Sequence, residues 1–331
     1  MILEVSAFVI VVLALCGTVV KRRGEPTSTV PSQVSQSEFT ERIGNYRITG
    51  ELESSHDWVL YQAFDKNAPQ NILTLKVLSA FHQTKLAAER LKREGQLALK
   101  LQHPSIVETV DWGVLSGERP YVVRKAVPGQ TLAGLLSQGP LTPQKAISIL
   151  LPITKALAYL HQSGLLHRNL KSRKIVVPDE GPPVIIDFGF VKPQDPSVMN
   201  VTQVGINELC VSLSGGEDKT RGAAWIGALG YYAPELFQGK EHTPHTDQYA
   251  LGTIFYEALS GKLPVDGMSF AEALIFKQKG TVEPLWERNE GVPKELSRVV
   301  ERMLANQAEQ RFGSLAEVAE ALEDQFPTAS S

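Results

Sequence analysis

The hydrophobic period of this chain changes once along its length, and that change limits the folds open to it. Between Tyr46 and about Val123 the apolar residues fall in short strand-type runs, "NYRITGEL", "WVLYQAF", "ILTLKVL" and "RPYVVRK", around one stretch of helical pattern, "TKLAAERLKREGQLALKLQ". After "VPGQTL" the pattern becomes mainly helical, in "TPQKAISILLPITKALAYLHQSG", "DQYALGTIFYEALSG", "FAEALIFKQKG", "KELSRVVERMLA" and "LAEVAEALEDQ". Strands gathered in one part and helices in another predict an α+β fold. It has two lobes: a small antiparallel sheet with one helix over 45–126, and a larger, mainly helical lobe over 127–327. With 43% hydrophobic residues, a chain of 331 residues holds a large core. The net charge of -3 supplies none of the basic surface that nucleic acid requires, so no nucleic-acid partner is expected. Cys16 and Cys210 stand far apart, which excludes a disulfide framework or a paired metal site and fits a reducing compartment.

Ahead of the sheet lies "VSAFVIVVLALCGTVV", an uncharged apolar run closed by Lys21, Arg22 and Arg23. Residues 1–23 are expected to form a transmembrane helix that anchors the chain. A cleaved signal peptide needs its basic residues before the apolar core, and here they follow it. Leu15 before Cys16 also argues against a lipoprotein signal. Basic residues stay on the cytoplasmic side, so the expectation is a single-pass membrane protein with its folded part in the cytoplasm. Residues 24–44, rich in Ser, Thr, Pro and Gln, read as a flexible linker.

The residues able to do chemistry sit in short motifs that follow one another along the chain. "TLKVL" carries Lys76, "KREGQ" carries Glu94, and "HPSIV" begins at His103. "LLHRNLKSRKIVV" holds Asn169, Lys171 and Lys174; "DFG" is Asp187 to Gly189; "APE" is Ala233 to Glu235. "DQYALGTIFYEALSGKLP" opens at Asp247, and "QRF" supplies Arg311. "DFG" stands about 20 residues after "HRNLK" and about 46 before "APE", a conjunction that chance does not supply. Over about Tyr46 to Leu322 the chain resembles the protein kinase family in its bacterial Ser/Thr form. The resemblance implies that Lys76 reaches the phosphates of ATP, that Glu94 pairs with it, and that Val59 covers the nucleotide. It implies a magnesium ion on Asp187 and a catalytic position at residue 169, beside Lys171. It also implies that Asp247 anchors the large lobe and that Arg311 pairs with Glu235.

Departures from the family's pattern bear on function. Where that pattern has a catalytic aspartate and a metal-binding asparagine, this chain has Asn169 and Lys174. An amide accepts no proton at neutral pH, and an ammonium does not coordinate magnesium. Glu53, Ser55 and Trp58 stand in the first hairpin in place of three glycines whose N–H groups approach the phosphates. Arg124 and Lys125 replace an apolar and an acidic residue beside the adenine pocket and narrow it, and Thr74 replaces a small alanine. Ala228 replaces a threonine whose hydroxyl bonds the catalytic aspartate and Lys171. Asn169 (0), Lys174 (+1) and Asp187 (-1) sum to zero, against about -2 in an active member. Lys174 therefore has two roles open to it. It pairs with Asp187 and closes the site, or it neutralises nucleotide phosphates in place of a metal ion.

The expectation is a pseudokinase that acts through a protein partner in a signalling assembly, as a scaffold or a nucleotide-sensing module. ATP is expected to bind weakly and without need of magnesium. The alternative is an active Ser/Thr kinase that transfers the γ-phosphate of ATP from an unconventional site, since a loose transition state tolerates loss of the base. In the family Arg168 pairs with a phosphate on the activation segment; here residues 190–226 read as a long polar loop carrying Ser212, Ser214 and Thr220. The glycosylation pattern at Asn200 faces the cytoplasm in this topology and is discounted, and His242 and His245 have too few companions for a metal.

Overall fold

The computed structural model describes residues 42–80, 84–194 and 229–326. The expected anchor, nearly all of the linker, both cysteines, Asn200, Ser212, Ser214, Thr220 and Ala228 lie outside these residues. Among the described residues no helix is long and apolar enough to cross a membrane.

The small lobe is a six-stranded antiparallel sheet in the order β1-β2-β3-β4-β6-β5. Its strands are β1 (Arg42–Ile43), β2 (Tyr46–Ser54), β3 (Trp58–Asp65), β4 (Ala68–Leu78), β5 (Thr109–Leu115) and β6 (Arg119–Lys125). Alternation along β4 sends Leu73, Leu75 and Val77 into a core with Ile43, Tyr46, Ala63 and Val123. The opposite face of the strand then carries Lys76, turned toward the cleft. The sheet begins earlier than the expected boundary at 45, because Ile43 is buried and pairs with Tyr46. β5 is a strand that its sequence, "TVDWGVL", hides: a bulge between Thr109 and Asp111 breaks its alternation and Gly113 interrupts it.

Helix α1 (Lys85–Ala98) starts where the Thr84 side chain accepts from the Ala87 N–H. It ends at Ala98, short of the full helical stretch, and packs on β5 and β6. Gly95 permits this approach, since a Cβ there would lie 2.5 Å from Trp112 Cβ. The neighbouring Glu94 is thereby brought to Lys76.

The chain then runs through β7 (Gln130–Thr131), α2 (Leu132–Leu136) and α3 (Pro143–Gln162) into a set of short strands. These are β8 (Leu165–Leu166), β9 (Ile175–Val177), β10 (Val184–Ile185) and β11 (Lys192–Pro193). They pair as β10-β9-β7 and β11-β8, which fixes the two loops that carry Asn169 and Asp187. Further α-helices of the large lobe among the described residues are α4 (Pro244–Ser260), α5 (Phe270–Lys279), α6 (Leu285–Arg288), α7 (Lys294–Met303) and α8 (Leu315–Gln325). Helix α4 is buried nearly throughout, with Leu251, Phe255 and Leu259 in the core alongside Leu157, Met303 and Leu322. The lobes meet where Val107 N–H donates to Ile185 O (3.0 Å) and Ile185 N–H to Ser105 O (2.9 Å).

Candidate functional site

Five charged side chains of alternating sign cross the cleft between the lobes. Arg124 contacts Glu94; Glu94 accepts from Lys76 Nζ at 3.1 Å; Lys76 Nζ also lies 3.1 Å from Asp187 Oδ1; Lys174 Nζ lies 2.7 Å from Asp187 Oδ2. The members come from β6, α1, β4, the turn after β10 and the loop before β9. All but Asp187 are more than nine-tenths buried. Burial alone would raise the Asp187 pKa, but Lys174, then Lys76 and Arg124, outweigh it and hold the carboxyl well below its usual range. Burial lowers the pKa of Lys76, Lys174 and Arg124, and Asp187 partly restores each. Gly189 closes over the ladder: a Cβ there would stand 3.2 Å from Glu94 Oε2 and 3.3 Å from Lys76 Nζ.

Arg124 is the member that the sequence places least well. It was expected to narrow the adenine pocket; its side chain instead runs inward, where Nη1 donates to Ile186 O at 2.7 Å and Nη2 meets Glu94. Cross-strand pairing with Thr74 and Thr109 in the middle of the sheet leaves it this inward course. Lys125, one residue on and so on the opposite face, is exposed and pairs with Glu108. A buried guanidinium in a strand that also carries the buried Val122 and Val123 is the signal that an ionic partner lies behind it.

In the hairpin between β2 and β3, Ser55 N–H donates to Trp58 O (2.8 Å) and Trp58 N–H to Ser55 Oγ (3.2 Å), so the turn binds itself. The Trp58 ring lies 5.0 Å from Lys76 Nζ, over the ammonium expected to meet phosphates. Val59 follows in β3, half-buried and paired with Val77.

The catalytic loop is set by Asp247 at the start of α4. Its carboxylate accepts the backbone N–H groups of His167 (2.8 Å) and Arg168 (2.7 Å) and faces His161 Nε2 (2.9 Å). Burial opposes its charge, but the His161 hydrogen bond leads the groups that bring its pKa down to about 2. Arg168 is held at φ 69°, a strained conformation for a residue with a side chain. Asn169 is buried and its Oδ1 has no hydrogen-bond partner. Lys171 is 4% exposed, with its ammonium 5.9 Å from the Tyr232 ring centre. Burial, then Lys174 and Arg173, lower its pKa to about 7. At the far end of the segment, Arg311 grips Glu235 through two hydrogen bonds of 2.8 Å, both residues buried.

A family profile described as the protein kinase domain matches residues 59–326. The chain is 32% identical over 233 residues to the serine/threonine-protein kinase PknB of Mycobacterium tuberculosis, covering 69% of this chain and 34% of that protein. It is 28% identical over 275 residues to the probable serine/threonine-protein kinase PknB of Lactococcus lactis, covering 82% and 40%. PknB of Mycolicibacterium smegmatis is 31% identical over 233 residues, covering 69% and 34%. The chain therefore spans between 34% and 40% of the length of these curated relatives.

Proposed function

The chain belongs to the protein kinase family, and we propose that within it this protein is a pseudokinase, a membrane-tethered binding module that does not transfer phosphate. The contact of Lys174 with Asp187 at 2.7 Å carries this reading. One oxygen of the carboxylate that a metal ion requires faces an ammonium, and Lys76 faces the other at 3.1 Å. An ammonium has no lone pair for magnesium and repels it, so this donor set does not fit that ion. Of the two roles open to Lys174, the pairing role is the one this contact supports. Asn169 adds a second loss, because no base orients the acceptor hydroxyl. Nothing in the hairpin offers the bare backbone that phosphates need, and Trp58 covers Lys76. ATP is accordingly a weak ligand that binds independently of magnesium and acts as a signal. The relatives are named as serine/threonine-protein kinases; the role assigned to this chain is to bind a protein partner in a signalling assembly. The run over residues 1–23 tethers the domain at the cytoplasmic face.

Full-length chain incubated with γ-labelled ATP and a generic protein acceptor is expected to incorporate no label, with or without magnesium. Magnesium-dependent incorporation that Asp187→Asn abolishes would overturn the proposal. It would support the second reading, unconventional phosphoryl transfer, which the assembled Lys76–Glu94 pair favours. Protease added outside intact cells should leave the folded domain uncut; digestion there would reverse the topology.

A further inference from the structure

The register of the small lobe sets four side chains in one row across four strands. Arg42 pairs with Arg47, Arg47 with Phe64, and Phe64 with Ile72, each directly opposite the next. Residues opposite one another share a face of the sheet, here the face that carries Lys76 four residues further along β4. Both arginines are exposed, and among the described residues no carboxylate pairs with either. Like charges directly opposite in a sheet repel, so this pair costs the fold stability. Arg47 lies 5.8 Å from the centre of the half-buried Phe64 ring, and Ile72 is 57% exposed. Lys66 adds a cation at the same end of the sheet: it is exposed, and its N–H donates to Asn45 O at 3.5 Å. Asp65 is turned to the other face, opposite Tyr46, where its carboxylate accepts the Asn67 N–H. The row also stands where the chain enters the fold, since Arg42 opens β1. The 18 residues from 24 to 41 span at most about 60 Å when fully extended, so the row lies within reach of a bilayer that holds residues 1–23.

We propose that this row docks on the anionic headgroups of the membrane that holds the chain, with Arg42 and Arg47 on lipid phosphates and Phe64 and Ile72 at the boundary between headgroups and acyl chains. The two halves of the row match the two layers they meet: cations gain from a negatively charged leaflet, and apolar side chains gain from burial just beneath it. Zwitterionic lipid carries its own cation beside each phosphate, so the row favours anionic lipid. The proposal rests on the tether reading. Two or three cations bind a bilayer weakly by themselves, and the tether supplies the high local concentration that makes such binding effective. Docking fixes the orientation of the small lobe at the membrane and so determines which surface faces a protein partner.

The test places the full-length chain, one copy per disc, in nanodiscs of phosphatidylcholine with or without phosphatidylglycerol, and uses a lipid with a nitroxide headgroup as quencher. Cys16→Ala and Cys210→Ser leave one site for a fluorophore, Gln70→Cys, exposed two residues before Ile72. Glu320→Cys, exposed on α8, serves as the control position. Quenching at position 70 is expected in the anionic discs and not in phosphatidylcholine alone, with loss at high salt; position 320 should stay bright throughout. Arg42→Gln combined with Arg47→Gln should lower the ratio of docked to free domain roughly thirtyfold. Its melting temperature should not fall, because the change relieves the repulsion between the two strands. Equal quenching at position 70 in the two compositions, or full quenching in the folded double variant, would overturn the proposal. Quenching that appears only with two copies per disc would assign the face to a second copy and overturn it as well. A chain that stays out of the discs defeats the tether and the docking together, whereas a chain held in anionic discs with position 70 bright defeats the docking alone.

Discussion

At the scale of single residues, the site is defined by which charge sits opposite which. Lys174→Asn should free one oxygen of Asp187 and supply an amide oxygen beside it. Titrating magnesium into that variant in the presence of ATP should then raise its melting temperature, whereas the wild type should not respond. A magnesium response in the wild type would show that Lys174 does not block the ion. His167 gives a second prediction. It is 1% exposed, its ring lies 5.5 Å from that of Phe188, and burial, followed by the Lys174 charge, lowers its pKa to about 4. Between pH 6.5 and 4 the unfolded chain binds this proton and the folded chain does not, so stability falls as pH drops through that window. The full loss is about 3 kcal/mol, and Asp247 adds to it only below its ordinary value of 3.8. Denaturant melts at pH 7 and pH 4 should show this loss in the wild type and a smaller one in His167→Leu; equal losses would place the acid sensitivity elsewhere. The exchange of aspartate for Asn169 and of asparagine for Lys174 was legible in the sequence, because each falls in a motif of fixed spacing. The course of Arg124 was not, because strand alternation fixes a face without saying what lies behind it.

At the scale of elements, the long periodic segments were legible and the short ones were not. β6 was expected at its observed bounds, and the helices α3, α4, α5, α7 and α8 fall within or close to their expected segments, since each is long enough for its apolar residues to recur at helical spacing. The two- and three-residue strands around the catalytic loop have no period to read, and β5 lost its own to a bulge. Two predictions belong here. Gly95→Ala would gain about 1 kcal/mol of helix propensity in an isolated helix. Its Cβ would meet Trp112 Cβ at 2.5 Å, so α1 must shift and carry Glu94 with it. Net destabilisation is expected by thermal melt, and a net gain would mean that α1 does not rest on β5 as described. Glu235→Ala leaves Arg311 buried without its counter-ion at the join between the activation segment and α4, at a cost of roughly 3 to 5 kcal/mol. Glu53→Ala, in the exposed hairpin, should cost far less; similar melts for the two would show that the Glu235 pair contributes little.

At the scale of the whole molecule, the two-lobed arrangement was legible from one change of period, while the ionic bridge between the lobes was not. Its five members lie between residues 76 and 187, and only contact in three dimensions makes them one series. That series has a consequence for redundancy. Arg124 and Lys174 are its outer members, so removing Lys76 from the middle leaves two self-contained couples, Arg124 with Glu94 and Lys174 with Asp187. Glu94→Gln, by contrast, leaves three cations to share one carboxylate. Lys76→Met should therefore lower the melting temperature less than Glu94→Gln, and equal losses would show that the outer cations do not carry the carboxylates alone. In a protein with this wiring, the central lysine is a spare part, and both carboxylates keep a cationic neighbour when it is gone.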